Sequence, residues 1–204
     1  MPIGARILLS PLTLAVLWFG LLHWRRHLQR WIERLPLAGP LRFLLTGVPV
    51  GAILVQFTVA FGLSPDLDPR PVVNTLLYVG PWGGLILGWY LLRSRYAFDH
   101  RLPFWIGGLV GAVEEQGFMV PMAALSGDLV AAVLGAVFLI PCYGIPIAAI
   151  WVIAPDRDIP GGTGRLGWLG RVLCVVVPKV LFFALAWPSY WLLGVALGTD
   201  FLGR

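Results

Sequence analysis

Two adjacent glutamates, Glu114 and Glu115, stand in an apolar stretch whose nearest charged neighbours are Arg101 and Asp128. Carboxylates held away from water can act as a general base or can carry a proton or an ion. Lys179, the only lysine of the chain, stands in another long apolar segment. A buried acid and a buried cation neutralise each other, and leaving either one alone is costly. These three residues are therefore the first candidates for a functional site.

The composition predicts that this site lies in a membrane. Of the 204 residues, 58% are hydrophobic and 12% are charged, and the mean hydropathy is +0.83. Soluble domains are about 25% charged. The net charge of +5 comes from arginines in short clusters between apolar runs, and no Gly-rich phosphate loop is present. This pattern excludes nucleic acid as a partner and indicates an integral membrane protein.

Six apolar segments predict an all-α fold, a polytopic transmembrane helical bundle that forms a single domain over residues 1–204. Each is near the ~20 residues that cross a bilayer core, and lipid leaves the backbone no partners outside a helix. The segments are about 7–24, 41–63, 72–92, 104–126, 129–154 and 172–197.

The segment between the first two spans predicts an amphipathic interfacial helix over about 25–36. In "WRRHLQRWIERLP", tryptophan, leucine and isoleucine recur at helical spacing, and arginines occupy the other faces. Tryptophan favours the headgroup level, and arginine favours anionic lipid. The predicted partners are therefore the bilayer, its anionic headgroups at the arginine loops, and other membrane subunits.

The arginines predict the orientation of the bundle. Residues 25–42 carry five arginines, and residues 93–101 and 156–171 carry three each, against three in the remaining segments. Positive loops stay in the cytoplasm. The sequence therefore predicts both termini outside, in an inner or plasma membrane of the bacterial type.

Depth and packing predict that the charged residues meet. Glu114 lies about ten residues into its span, roughly 15 Å deep, and Lys179 enters its span to a similar depth from the same side. We expect Lys179 to pair with one glutamate, or else to extend its long stem to the cytoplasmic face. Alternatively, a helix break after the glutamates exposes them to water. Gln116 and Tyr143 complete the predicted network.

Small residues predict where the helices approach closely. Glycines recur every four residues on the third span and at Gly107 and Gly111 on the fourth, which is the pattern that lets helices pack in lipid. Five further polar residues of the spans either line a shared cavity or bond to neighbouring helices: they are Gln56, Asn74, Tyr78, Gln116 and Tyr143. The two cysteines lack metal-ligand spacing, so no metal site is predicted and no cofactor is assigned.

One stretch resembles a known family. "EEQGFM" (114–119) is similar to the Glu-Glu-x-x-x-Arg motif of the CAAX-protease and bacteriocin-processing membrane proteins, and "FLIPC" (138–142) is similar to their Phe-x-x-x-His motif. Met119 stands where the family has arginine, and Cys142 stands where it has histidine. No histidine follows His100.

The resemblance covers about residues 104–150 and implies a helical fold in which Glu114 and Glu115 supply the catalytic base toward water. The family is thought to hold the developing oxyanion with histidine and asparagine, and the histidine is missing here. A protease that lacks those donors loses much of its transition-state stabilisation. The departures from the motif therefore imply a protein that keeps the fold and has lost the peptidase activity.

Three functions follow as hypotheses. The first is a non-catalytic membrane subunit or scaffold with a degenerate CAAX-protease-like fold. The second is a small transporter or proton-coupled channel that uses Glu114, Glu115 and Lys179. The third is an active intramembrane protease that depends on glutamate. A stable larger assembly in mild detergent favours the first, and substrate-dependent flux favours the second.

Overall fold

The computed structural model describes residues 3–60, 67–114 and 119–201, and within these ranges the regular structure is helical. One short 3₁₀ turn (Asp156–Asp158) follows the sixth helix. The all-α class that the sequence predicts is confirmed. The helices of the described ranges are α1 (Ile3–Glu33), α2 (Gly39–Ala60), α3 (Pro71–Arg95), α4 (Arg101–Glu114), α5 (Met119–Leu125), α6 (Leu129–Ile153) and α7 (Trp168–Leu197).

In the described part of the chain, four helices are long and apolar enough to cross a membrane. They are α2 over Gly39–Gln56, and α3, α6 and α7 over their full lengths. α4 is apolar but shorter. The predicted span 104–126 corresponds to α4 and the short α5, and residues 115–118 lie outside the described ranges.

The first helix joins two segments that the sequence suggests are separate. α1 runs without a break from Ile3 to Glu33, so the amphipathic stretch continues the first apolar segment. No proline or glycine after Gly20 interrupts it. Ile32 is buried and packs with Leu28 against the core, whereas Trp31 is 60% exposed. Protein contact therefore covers part of the face that the sequence assigns to lipid.

The arginine-rich segments meet at one end of the bundle. The connection from α6 to α7 contacts α1 through an Arg25–Asp156 ion pair at 3.1 Å. It also contacts the end of α3, where the Gly162 N–H donates to the Arg93 carbonyl at 3.0 Å. The predicted clustering of these arginines on one side is therefore present. That this side faces the cytoplasm stays a prediction.

A buried ion pair anchors the same connection to α2. The guanidinium of Arg42 lies 3.5 Å from the carboxylate of Asp158, and both side chains are at least nine-tenths buried. Arg42 also donates a hydrogen bond to the Leu37 carbonyl at 2.6 Å. Gly39 lies against Asp158, since an added Cβ there would sit 3.0 Å from a carboxylate oxygen. This contact fixes the start of α2 against the short 3₁₀ turn.

Polar contacts at the opposite end hold α2 to α3. The Asn74 amide donates to the Gln56 side chain at 3.0 Å and accepts from the Leu67 backbone N–H at 3.0 Å. At the start of α3, the carboxylate of Asp68 accepts two hydrogen bonds from the guanidinium of Arg70 at 2.8 and 2.9 Å, which raise the pKa of that guanidinium. Gln56 and Asn74 therefore bond between helices.

Glycines bring α3 and α7 together. Gly80, Gly84 and Gly88 all face α7, which confirms the close approach that their spacing predicts. A Cβ at Gly84 would collide with the backbone carbonyl of Leu181, and one at Gly88 would lie 2.6 Å from the Cα of Pro178. The backbones are thus in contact one residue before Lys179.

Candidate functional site

A cavity of about 430 Å³ lies among α2, α3, α4, α6 and α7. Its α3 wall is aromatic, with Trp82 and Trp89, and its α7 wall carries Phe182 and Phe183. Aliphatic side chains from α4 and α6 complete the apolar surface. Pockets of 300–1,000 Å³ with mostly apolar walls and a few polar groups are typical small-molecule sites.

Four residues that line this apolar space carry an ammonium or a hydroxyl group: they are Lys179, Tyr78, Tyr143 and Tyr190. Lys179 is the only charged side chain among the described residues that line the cavity. Its Nζ lies 5.8 Å from the centroid of the Phe182 ring, which is within the ~6 Å range of a cation–π contact. Lys179 and Tyr143, two residues of the predicted network, are thus brought to one site.

Backbone features position the lysine. Pro178 packs on Gly88, so the backbones of α3 and α7 are in contact at this level. As a proline, Pro178 has no N–H to donate to the carbonyl of Cys174 four residues earlier. Cys174, Pro178 and Lys179 all line the cavity. The tight α3–α7 contact therefore directs this turn of α7 into the cavity.

Two glycines of α4 leave room for side chains of α6. A Cβ at Gly111 would collide with the ring of Tyr143, and one at Gly107 would collide with Ile147. The two glycines that the sequence marks as a packing face therefore let Tyr143 reach the cavity. This confirms the close approach that their spacing predicts.

The predicted glutamates stand at the border of the described chain. Glu114 is the last residue of α4 and follows Val110 and Gly111, two lining residues, by about one helical turn. The side chain of Glu114, and all of Glu115 and Gln116, lie outside the described residues. α4 and α7 both start at the arginine-rich end. Glu114 and Lys179 lie thirteen and eleven residues from those starts, or about 20 and 16 Å.

The position that matches the histidine of the resembled family is not part of the cavity. Cys142 is fully buried and packs with Leu14 and Ile145 beside α1. The next residue, Tyr143, faces the cavity instead. Among the described residues that line the cavity there is no histidine. No group of three metal-ligating side chains forms within the described ranges either.

Both α4 and α7 line the cavity. α4 packs closely on α6, and α7 packs closely on α3, but α4 and α7 touch at few positions. Of the lining residues of α7, Val175 is 38% exposed and Phe183 is 63% exposed. Both residues lie in the interior of a helix long and apolar enough to span the bilayer. This part of the cavity wall therefore lies at the level that lipid chains occupy.

Tyr190 and the aromatic side chains of the cavity wall are not among the site residues predicted from the sequence. On α3, Trp82 and Trp89 belong to a helical stripe with Tyr78, in which aromatic residues recur at intervals of four and seven residues. On α7, Tyr190 lies eleven residues, or three turns, after Lys179. Tyr190 therefore lies on the same face of α7 as Lys179, and extending that face along the helix identifies it.

The fold and the cavity together define a class, an α-helical integral membrane protein with an internal cavity. Comparisons with protein-family models, with curated proteins and with solved structures found no match to this chain. The cavity itself is therefore the basis for a functional assignment.

Proposed function

We propose that this protein binds a small, largely apolar molecule in the cavity and exchanges it with the bilayer, as the binding step of a small membrane transporter. The observation that carries the proposal is the cavity of about 430 Å³ with a lysine in its wall. A purely structural bundle gains stability by filling such a space, since voids in a core cost contact energy. A charged side chain in a membrane helix is also expensive and usually functional.

The dimensions of the cavity support a compact ligand. At about 30 Å³ for each water-sized group, the cavity holds roughly fourteen non-hydrogen atoms. The exposed lining residues of α7 support entry from the membrane, because a ligand with apolar parts is concentrated there.

A non-catalytic subunit is the second candidate, and the outer face of α7 favours it. Six apolar side chains recur there at intervals of three or four residues and are between 46% and 68% exposed, which suits either lipid or a neighbouring membrane helix. They are Val176, Val180, Phe183, Trp187, Trp191 and Val195, of which Phe183 lies at the edge of this face and also lines the cavity. The mass of the particle purified in mild detergent separates this candidate from the first.

Filling the cavity tests the binding function. The variant Val110→Phe with Val175→Phe adds two rings to lining residues, one on α4 and one on α7. Its matched control, Val113→Phe with Val176→Phe, makes the same changes at exposed positions of the same helices that do not line the cavity. Each protein is purified in mild detergent, and small molecules extracted from it are quantified by mass spectrometry.

We expect a defined molecule to co-purify at near-stoichiometric amounts with the native protein and with the control pair. The cavity-filling pair should retain less than about a tenth as much, since added volume in a packed space displaces its contents or strains the fold. Equal amounts in the cavity-filling and control pairs would show that the molecule is bound elsewhere. Absence of any enriched molecule in a stable larger assembly would favour the subunit instead.

A further inference from the structure

The cavity is long in the direction of the helices. On α3 its lining includes both Tyr78 and Trp89, and on α7 it includes both Lys179 and Tyr190. The two residues of each pair are eleven positions apart, which is about 16 Å along a helix. Side chains lean toward the N-terminus of their own helix, so two on the same helix keep their separation along its axis. Both helices therefore give the cavity a length of at least about 16 Å.

The contacts between α3 and α7 show that these two lengths coincide. Gly80 lies against the last third of α7, and Gly88 lies against Pro178 in its first half, so the two helices are antiparallel. Tyr78, two residues before Gly80, therefore lies at the same end of the cavity as Tyr190. One space, and not two separate ones, runs beside both helices.

The width of the cavity admits one chain or one ring. A volume of about 430 Å³ over a length of at least about 16 Å gives a mean cross-section of no more than about 27 Å², or roughly 5 Å across. Carbon atoms in contact lie about 3.5–4.0 Å apart. A single extended molecule therefore fills the width, whereas two chains side by side or a bulky, branched molecule would not fit.

The wall favours a ligand with a π-electron system. Of the nineteen described residues that line the cavity, seven are aromatic, against 13% of the whole chain. Aromatic rings attract one another edge-to-face as well as stacked, so the wall can bind a ring in either orientation. These contacts add up to about tenfold in affinity beyond the effect of buried area. A saturated chain of the same size gains only the buried area.

We infer that the ligand is a single elongated, conjugated molecule, either linked aromatic rings or a polyene, that lies along the axis of the bundle. This inference rests on the proposed binding function and names its ligand class. The roughly fourteen non-hydrogen atoms that the cavity holds correspond to two joined rings. Recognition depends on shape and on ring contacts, whichever group Lys179 contacts.

The two isomers of stilbene test this shape, because they consist of the same atoms. trans-Stilbene is flat and extended, and cis-stilbene is bent and twisted. The native protein in mild detergent is titrated in the dark with each isomer, and native mass spectrometry counts the molecules bound to each chain. The variant Val110→Phe with Val175→Phe, whose added rings fill the cavity, measures molecules bound elsewhere. The pair Val113→Phe with Val176→Phe is its matched control.

We expect one trans-stilbene for each chain of the native protein and of the control pair. cis-Stilbene should bind at least about fivefold more weakly, since a bent molecule overpacks a narrow space. Tetradecane, a straight saturated chain with as many carbons, should displace only about a tenth of the bound trans-stilbene at equal concentration. The comparison of isomers needs no variant, so it holds even where the cavity-filling pair does not fold.

The outcomes separate this inference from the binding function. Equal binding of the two isomers would overturn the elongated shape, and displacement of half or more by tetradecane would assign the site to a saturated chain. Equal amounts of trans-stilbene on the native protein and on a folded cavity-filling pair would place the probe outside the cavity and overturn the inference. In each case a co-purifying molecule would leave the binding function standing. Absence of both a co-purifying molecule and a bound probe would overturn the binding function itself.

Discussion

The contact between α3 and α7 gives a sharp prediction at Gly84. A methyl group there would collide with the carbonyl of Leu181 and lie 2.8 Å from the backbone nitrogen of Phe182. Backbone cannot rotate away as a side chain can, so we take the upper overpacking cost of about 3 kcal/mol. Replacing glycine by alanine in a helix returns roughly 1 kcal/mol. Gly84→Ala should therefore lower the free energy of unfolding by about 2 kcal/mol.

The neighbouring glycine supplies the control. A Cβ at Gly83 would meet only a methyl carbon of Val48, at 3.8 Å, which is an ordinary contact. Gly83→Ala should therefore be neutral or stabilise the protein by up to about 1 kcal/mol. Both variants share one helix, one turn and one chemical change.

The measurement is unfolding by sodium dodecyl sulfate in mixed micelles, followed by tryptophan fluorescence. We expect the two variants to differ by about 2–3 kcal/mol. A difference below about 0.5 kcal/mol, the usual error of such comparisons, would mean that α3 and α7 do not meet at Gly84. The placement of Lys179 in the cavity would then be wrong as well, because the contact between α3 and α7 positions Lys179.

Three further predictions concern charge, orientation and catalysis. Lys179→Met should lower the melting temperature in detergent, and adding Glu114→Gln or Glu115→Gln should recover part of the loss; strict additivity for both glutamates would contradict an ion pair. Ser94→Cys, in a background without other cysteines, should react only with reagents that reach the cytoplasm, whereas Ser64→Cys should react from outside, and the reverse pattern would invert the orientation. Purified protein should not hydrolyse a prenylated or hydrophobic peptide, and turnover that Glu114→Gln abolishes would overturn this expectation.

The fold class was predictable because composition and segment length determine it. A chain with 58% hydrophobic and 12% charged residues has too little polar surface to cover itself in water, and its long apolar runs leave the helix as the only structure that satisfies the backbone in lipid. The ends of the elements were less predictable. α1 continues through Glu33 because nothing in its sequence after Gly20 breaks a helix, while the change from apolar to amphipathic character suggested a boundary.

The candidate site was predictable only in part. Lys179 stood out because charge is rare in a membrane span, and Tyr143 stood out as a polar group in an apolar run. The sequence did not mark Trp82 and Trp89 as site residues, because tryptophan in a membrane helix can equally contact lipid, a neighbouring helix or a ligand. Exposed apolar residues on α7 illustrate the same ambiguity.

The sequence by itself therefore determined the class of protein, the helical segments, the clustering of arginines and the identity of the charged residues in the spans. These properties follow from each residue and its near neighbours. Only the tertiary structure decided that Gly88 and Pro178 touch, that Tyr143 lies over Gly111, and that Lys179 lines one cavity together with residues of α4. A cavity is the space that helices leave when their best-packed faces are elsewhere, and so it depends on contacts between residues far apart in the chain.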